Sequence, residues 1–130
     1  AFATERDRSF WTWWDRVAAR HADEPRAMLE ALLSGVAKLV GHPTYRGCPF
    51  LNLTTELPDP NHPGRVVATG NKEEMRRRLA AIVAELGVSD PDRVASQLAL
   101  LINGAMATGL VAVPADLKDE LVDAAMKLLA

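Results

Sequence analysis

Residues Leu98 to Val113 read LALLINGAMATGLVAV, a stretch without a single charged side chain. As an α-helix it would be roughly 24 Å long, short of the roughly 30 Å needed to cross a bilayer. It also holds Asn103, Thr108 and two glycines, Gly104 and Gly109. The stretch therefore reads as a helix buried in protein. Asp90-Pro91 supplies a start, with an N-cap and a first-position proline, and Pro114 supplies the stop, giving a helix from Pro91 to about Val113. The next segment, about Ala115 to Leu129, is also helical. Spaced at 100° per residue, its residues Leu117, Leu121, Val122, Ala124, Ala125, Met126, Leu128 and Leu129 cover an arc of about 200°, roughly twice what one core requires.

Two neighbouring helices with that much apolar surface call for two sets of partners, one inside the chain and one outside it. The expected solution is an isologous dimer in which the last two helices of each subunit form a four-helix bundle about a two-fold axis. Leu98, Ile102, Ala105, Gly109, Leu117, Leu121, Ala125 and Leu128 are the expected interface, with small residues allowing close backbone approach. The competing possibility is that a neighbouring helix of the same chain covers the surplus.

Working back toward the N-terminus, prolines again mark helix starts. Helices are expected over about Thr4–His21, Pro25–Val40, Pro49–Glu56 and Pro63–Leu86, separated by Gly41-His42-Pro43, the proline-rich Leu57–Pro63 loop, and Gly87. Gly70 and Asn71 weaken the middle of the fourth and could kink it. No segment alternates with period two and none repeats another, so the fold class is all-α, a bundle of five to six helices in one domain spanning residues 1–130.

Charge is balanced, with 15 basic and 17 acidic residues interspersed along the chain, so no surface is basic enough to hold nucleic acid by charge. Arg76, Arg77 and Arg78 follow Glu73 and Glu74, and the spacing predicts the pairs Glu73–Arg77 and Glu74–Arg78 on a solvated face. The opening residues Ala1–Asp7 lack the basic and apolar regions of a signal peptide, and the single Cys48 fits a reducing compartment, so the cytoplasm is the expected location.

Aromatic residues concentrate in the first helix. Phe10, Trp13 and Trp14 share a face with Val17, and Trp11 is displaced from it. Such a wall is either bulky core or one side of a small-molecule pocket. Asn103, deep in an apolar helix, needs a partner from the chain, from a second subunit or from a ligand. Asn52, Thr55 and Glu56 on the short third helix raise the same question. Cys48 stands at a helix start with Arg46 nearby, a setting that favours a thiolate; it is either a redox-sensing thiol or a small buried residue. His21, His42 and His62 lie in separate connections without metal-ligand spacing, no phosphate-binding glycine motif occurs, and His42 with Cys48 lacks a third catalytic group. Neither an enzyme nor a cofactor is expected.

The segment Tyr45-Arg46-Gly47-Cys48-Pro49-Phe50-Leu51-Asn52, with Asp59-Pro60-Asn61-His62-Pro63 before a long helix, resembles the C-terminal regulatory domain of TetR-family transcriptional regulators. The likeness in order and spacing runs over nearly the whole chain. It implies a homodimer that binds a small, largely apolar effector inside the bundle, within a repressor that reads operator DNA through an N-terminal helix-turn-helix head. Ala1 would then fall partway into the family's fourth helix, with the head belonging to the parent protein. On this reading Trp13, Trp14, Met28, Leu32, Phe50, Asn52, Leu101 and Met106 line the effector pocket. A helical interaction module without a pocket, and a thiol sensor acting through Cys48, are the alternatives.

Overall fold

The computed structural model describes residues 1–130 as six helices and no strands: α1 (Phe2–Arg20), α2 (Pro25–Val40), α3 (Pro49–Glu56), α4 (Pro63–Glu85), α5 (Pro91–Thr108) and α6 (Leu117–Leu128). Proline occupies the first position of α2, α3, α4 and α5, where its missing N–H has no helical partner to lose. Two of these starts are capped by side chains. Asp90 accepts from the Arg93 N–H at 3.2 Å, and the His62 Nδ1 accepts from the Gly64 N–H at 3.0 Å. Gly87, at φ 77°, follows the end of α4 in a left-handed conformation that suits glycine.

α2 and α4 are the interior helices. α2 touches α1, α4, α5 and α6, while α4 touches α1, α2, α3 and α5. Their inward faces, Leu29, Leu32 and Leu33 from α2 and Met75, Leu79 and Val83 from α4, meet Leu98 and Ile102 of α5 in one continuous core. Burying each of these side chains contributes roughly 1.5–3 kcal/mol, so the core is sufficient to hold the bundle. No helix is long and apolar enough to cross a membrane.

The structure differs from the sequence reading in the last third of the chain. α5 stops at Thr108, not Val113, with Gly109 as its C-cap. Beyond it lie two β-branched valines and a proline that disfavours the helical region for the residue before it, so the chain leaves the helix early. α6 correspondingly begins at Leu117. The apolar arc of α6 is explained largely within the chain, because the helix packs against both α2 and α5. Leu121 and Ala125 are buried there, as are Leu98, Ile102 and Ala105 of α5, and Leu117 and Leu128 are half-buried against the same core. Gly109 also faces inward, where a Cβ would clash with a Val40 methyl.

Of the residues expected at a subunit interface, Leu98, Ile102, Ala105, Leu121 and Ala125 are therefore buried in the chain's own core, and Gly109, Leu117 and Leu128 are half-buried. What α5 leaves uncovered is a different stripe: Leu100, 72% exposed, then Gly104, Ala107 and Thr108, continued by Val111, 89% exposed. Leu110 and Val113 are exposed beside it.

α4 runs unbroken through Gly70 and Asn71. Asn71 is buried, and its Nδ2 donates to Asp7 on α1 at 3.0 Å. Tertiary contact at Asn71 outweighs the local weakness of the pair.

Candidate functional site

Phe2, Arg6, Phe10 and Trp13 recur at helical spacing and so form one stripe of α1. This stripe is one wall of a cavity of about 650 Å³. The C-terminal half of α2 supplies Gly35, Val36 and Leu39; the connector to α3 supplies His42 and Thr44 to Cys48; α3 supplies Pro49, Phe50, Asn52, Leu53 and Glu56; and Met106 of α5 closes the inner end. A volume of this size, mainly apolar with a few polar groups, suits a small organic molecule.

Trp13, Phe50, Asn52 and Met106 are brought together on this wall as the sequence reading expects. The other four are elsewhere. Trp14 lies about 100° around α1 from Trp13 and points into the core, 4% exposed. Met28 and Leu32 are on the cavity-facing side of α2 but nearer its N-terminus, so they pack into the core below the cavity. Leu101 is turned about 140° away from Met106 on α5.

The aromatic wall is mutually packed. The Phe10 ring centroid is 5.6 Å from that of Trp13 and 6.2 Å from that of Phe50, the latter pair edge to face. Trp13 can lie flat against α2 because residue 35 is glycine: a Cβ there would stand 2.5 Å from Trp13 Cζ2.

Tyr45, absent from the expected lining, is the wall's main polar strut. Its hydroxyl donates to the Met106 carbonyl at 2.6 Å, and burial, with the Cys48 thiol adding to it, pushes its pKa up to about 12. The connector around it is fixed locally. Asn52 Nδ2 donates to the Arg46 carbonyl at 3.1 Å, Gly47 takes φ 95°, and a Cβ on Gly47 would be pressed against the Leu110 methyls at 3.1 Å. The sequence signal for this strut was weak, since a tyrosine in a connector carries no periodicity.

Asn103 and Thr55 find partners inside the chain, and Glu56 stands on the cavity wall. Asn103 is half-buried, and its Oδ1 accepts from Lys72 Nζ at 2.7 Å. Thr55 donates to the Leu51 carbonyl one turn earlier at 3.2 Å. Cys48 is buried at the start of α3, on the cavity wall. On the outer surface Glu74 pairs with Arg78 at 2.8 Å and also with Arg77, which replaces the expected Glu73–Arg77 pair. Arg78 lies 4.1 Å from the Trp11 ring centre and reaches Asp15 at 2.8 Å. No group of His, Cys, Asp and Glu side chains is arranged to hold a metal ion.

No family model matches the sequence. A TetR-family transcriptional regulator from Streptomyces coelicolor superposes over 99% of this chain and 68% of its own, with a TM-score of 0.91 at 22% identity. The chain has the TetR-family fold. A second TetR-type transcriptional regulator, from Streptomyces avermitilis, matches 95% of this chain and 70% of its own, with a TM-score of 0.72 and 28% identity. By sequence, the chain is 30% identical over 92 residues to the HTH-type transcriptional regulator YjdC of Escherichia coli K12, a match of 68% of this chain and 48% of that protein. The Shigella flexneri YjdC gives the same match. The chain thus spans about half the length of the curated relatives it matches. The proteins it matches are all transcriptional regulators.

Proposed function

We propose that this chain is the effector-binding and dimerising part of a TetR-type transcriptional repressor. The observation that carries the reading is the 650 Å³ cavity walled by Phe10, Trp13 and Phe50 and closed by Met106. A small, largely apolar molecule held there would touch α1, α2, α3 and α5 at once. Binding to one arrangement of these helices in preference to another shifts the population between them, which is how an effector would release operator DNA held by a helix-turn-helix elsewhere in the parent protein. The exposed α5 stripe from Leu100 to Val111 supports the second half of the proposal. A stripe of small and apolar residues lets a second copy of the helix approach closely across a two-fold axis.

Trp13 makes the cavity directly observable. Titrating the chain with a panel of small hydrophobic compounds while following tryptophan fluorescence should give saturable changes for some of them. Substituting Trp13→Phe should remove most of the change, because Trp14 is in the core and Trp11 faces Arg78. A panel without any saturable response would overturn the reading.

A further inference from the structure

The polar groups of the cavity are not evenly divided between donors and acceptors. Its wall carries Arg6 and Arg46 but one carboxylate, Glu56. None of the three takes part in an ion pair. Arg6 lies beside the Phe2 ring, 5.3 Å from its centre, and Arg46 spends one N–H on the Tyr45 carbonyl at 3.0 Å, so most guanidinium donors of both remain free. His42 adds to this bias. Its Nδ1 accepts from the Thr44 N–H at 3.2 Å, which leaves the proton of the neutral ring on Nε2 as a further donor.

Position matters as much as sign. Arg6 and Trp13 share the α1 stripe and are seven residues apart, about 10 Å along the helix axis. Along this stripe Trp13 therefore lies toward one end and Arg6, with Phe2 beside it, toward the other. A ligand spanning both would need an apolar body of two fused rings or similar length and an anionic head.

Building on the effector-binding reading above, we propose that the cavity selects organic acids with a flat apolar body, the carboxylate attracted by the unpaired guanidinium groups of the wall, Arg6 and Arg46, and the body lying against Phe10 and Trp13. A carboxylate in such a site gains charge-assisted hydrogen bonds from planar guanidinium forks. A cationic amine of the same shape would meet two like charges and one opposite.

Three probes of one shape test this by calorimetry: naphthoate, naphthamide and naphthylmethylammonium. Naphthoate should bind at least about tenfold more tightly than naphthamide, and the ammonium compound most weakly. Arg6→Gln and Arg46→Gln, both at exposed positions, should each weaken naphthoate binding by more than naphthamide binding and so reduce that preference. Equal affinities for acid and amide, or an acid preference that survives both substitutions, would overturn the charge selection and leave the cavity reading standing. Tightest binding of the ammonium compound would also overturn it and move the anchor to Glu56. Failure of all three probes to bind would sink the charge selection and the cavity reading together.

Discussion

The Tyr45 hydroxyl donates to the Met106 carbonyl at 2.6 Å, so one phenol joins the cavity wall to the last turn of α5. The same ring packs against Gly109, where a Cβ would be 3.3 Å from Tyr45 Cε2. Whatever displaces Tyr45 therefore acts on the end of the helix that carries the exposed apolar stripe. Replacing Tyr45 by Phe removes the hydrogen bond and keeps the ring. The expected cost is about 1 kcal/mol, read as a fall of about 4 °C in the thermal midpoint.

The same residue gives the chain an alkaline limit. Tyr45 has a folded-state pKa near 12 against an ordinary value of 10.0, so folding favours its neutral form. The contribution is complete below pH 10 and is lost as the pH rises toward 12, because the unfolded chain ionises first. Urea midpoints measured from pH 9 to pH 12 should fall more steeply for the natural chain than for Tyr45→Phe; identical slopes would show that Tyr45 ionises freely.

Two leucines separate the chain's core from its free surface. Leu100→Glu, on the exposed stripe of α5, should leave helicity intact and convert the proposed dimer to monomers in sedimentation. Leu121→Glu places a carboxylate in the core and should cost several kcal/mol, seen as loss of the cooperative unfolding transition. A dimer that persists in Leu100→Glu would move the interface off α5.

Gly104 within α5 and Gly109 at its C-cap make a matched pair. Gly109→Ala forces a methyl against Val40 and should destabilise by about 1–3 kcal/mol. Gly104→Ala meets nothing within 4 Å and should stabilise the isolated chain by up to about 1 kcal/mol through helix propensity. Urea unfolding of both variants at low protein concentration checks the opposite signs.

Glu74 sets the acid side. Its hydrogen bonds from Arg78 and then Arg77 hold its carboxyl below the usual range, so its contribution is present above the unfolded value and fades as the pH falls through the folded one. Arg78→Ala should flatten stability against pH below about pH 5 and alter Trp11 emission by removing the guanidinium from its ring. An unchanged acid limb would show that the pair is solvated.

The helices were legible because proline, aspartate and glycine act locally. Pro25, Pro49, Pro63 and Pro91 each open a helix, and the Asp90 cap is where the sequence puts it. The end of α5 was not, since Leu110 to Val113 are as apolar as the helix before them, and the valines and Pro114 that disfavour the helix do not fix how many residues earlier it stops. The cavity was half legible. Trp13, Phe50, Asn52 and Met106 follow from chemical type and helix face, but whether Met28 or Leu32 reaches the cavity depends on how far α2 is slid along α1, which periodicity cannot report. The inward and outward sides of α5 were exchanged for a related reason: in a helix apolar all round, hydrophobicity carries no direction.

Gly35 gives the site a means of change that leaves its chemistry alone. The Trp13 indole lies back against α2 only because no methyl stands there. A side chain at position 35 would push the ring forward and shorten the space in front of it, with every guanidinium, amide and hydroxyl of the wall untouched. The bulk an occupant can have is thus set on the backbone of one helix and its polarity on the side chains of others. The two properties can drift independently in evolution, so proteins sharing this architecture can take molecules of one size and different charge, or of one charge and different size.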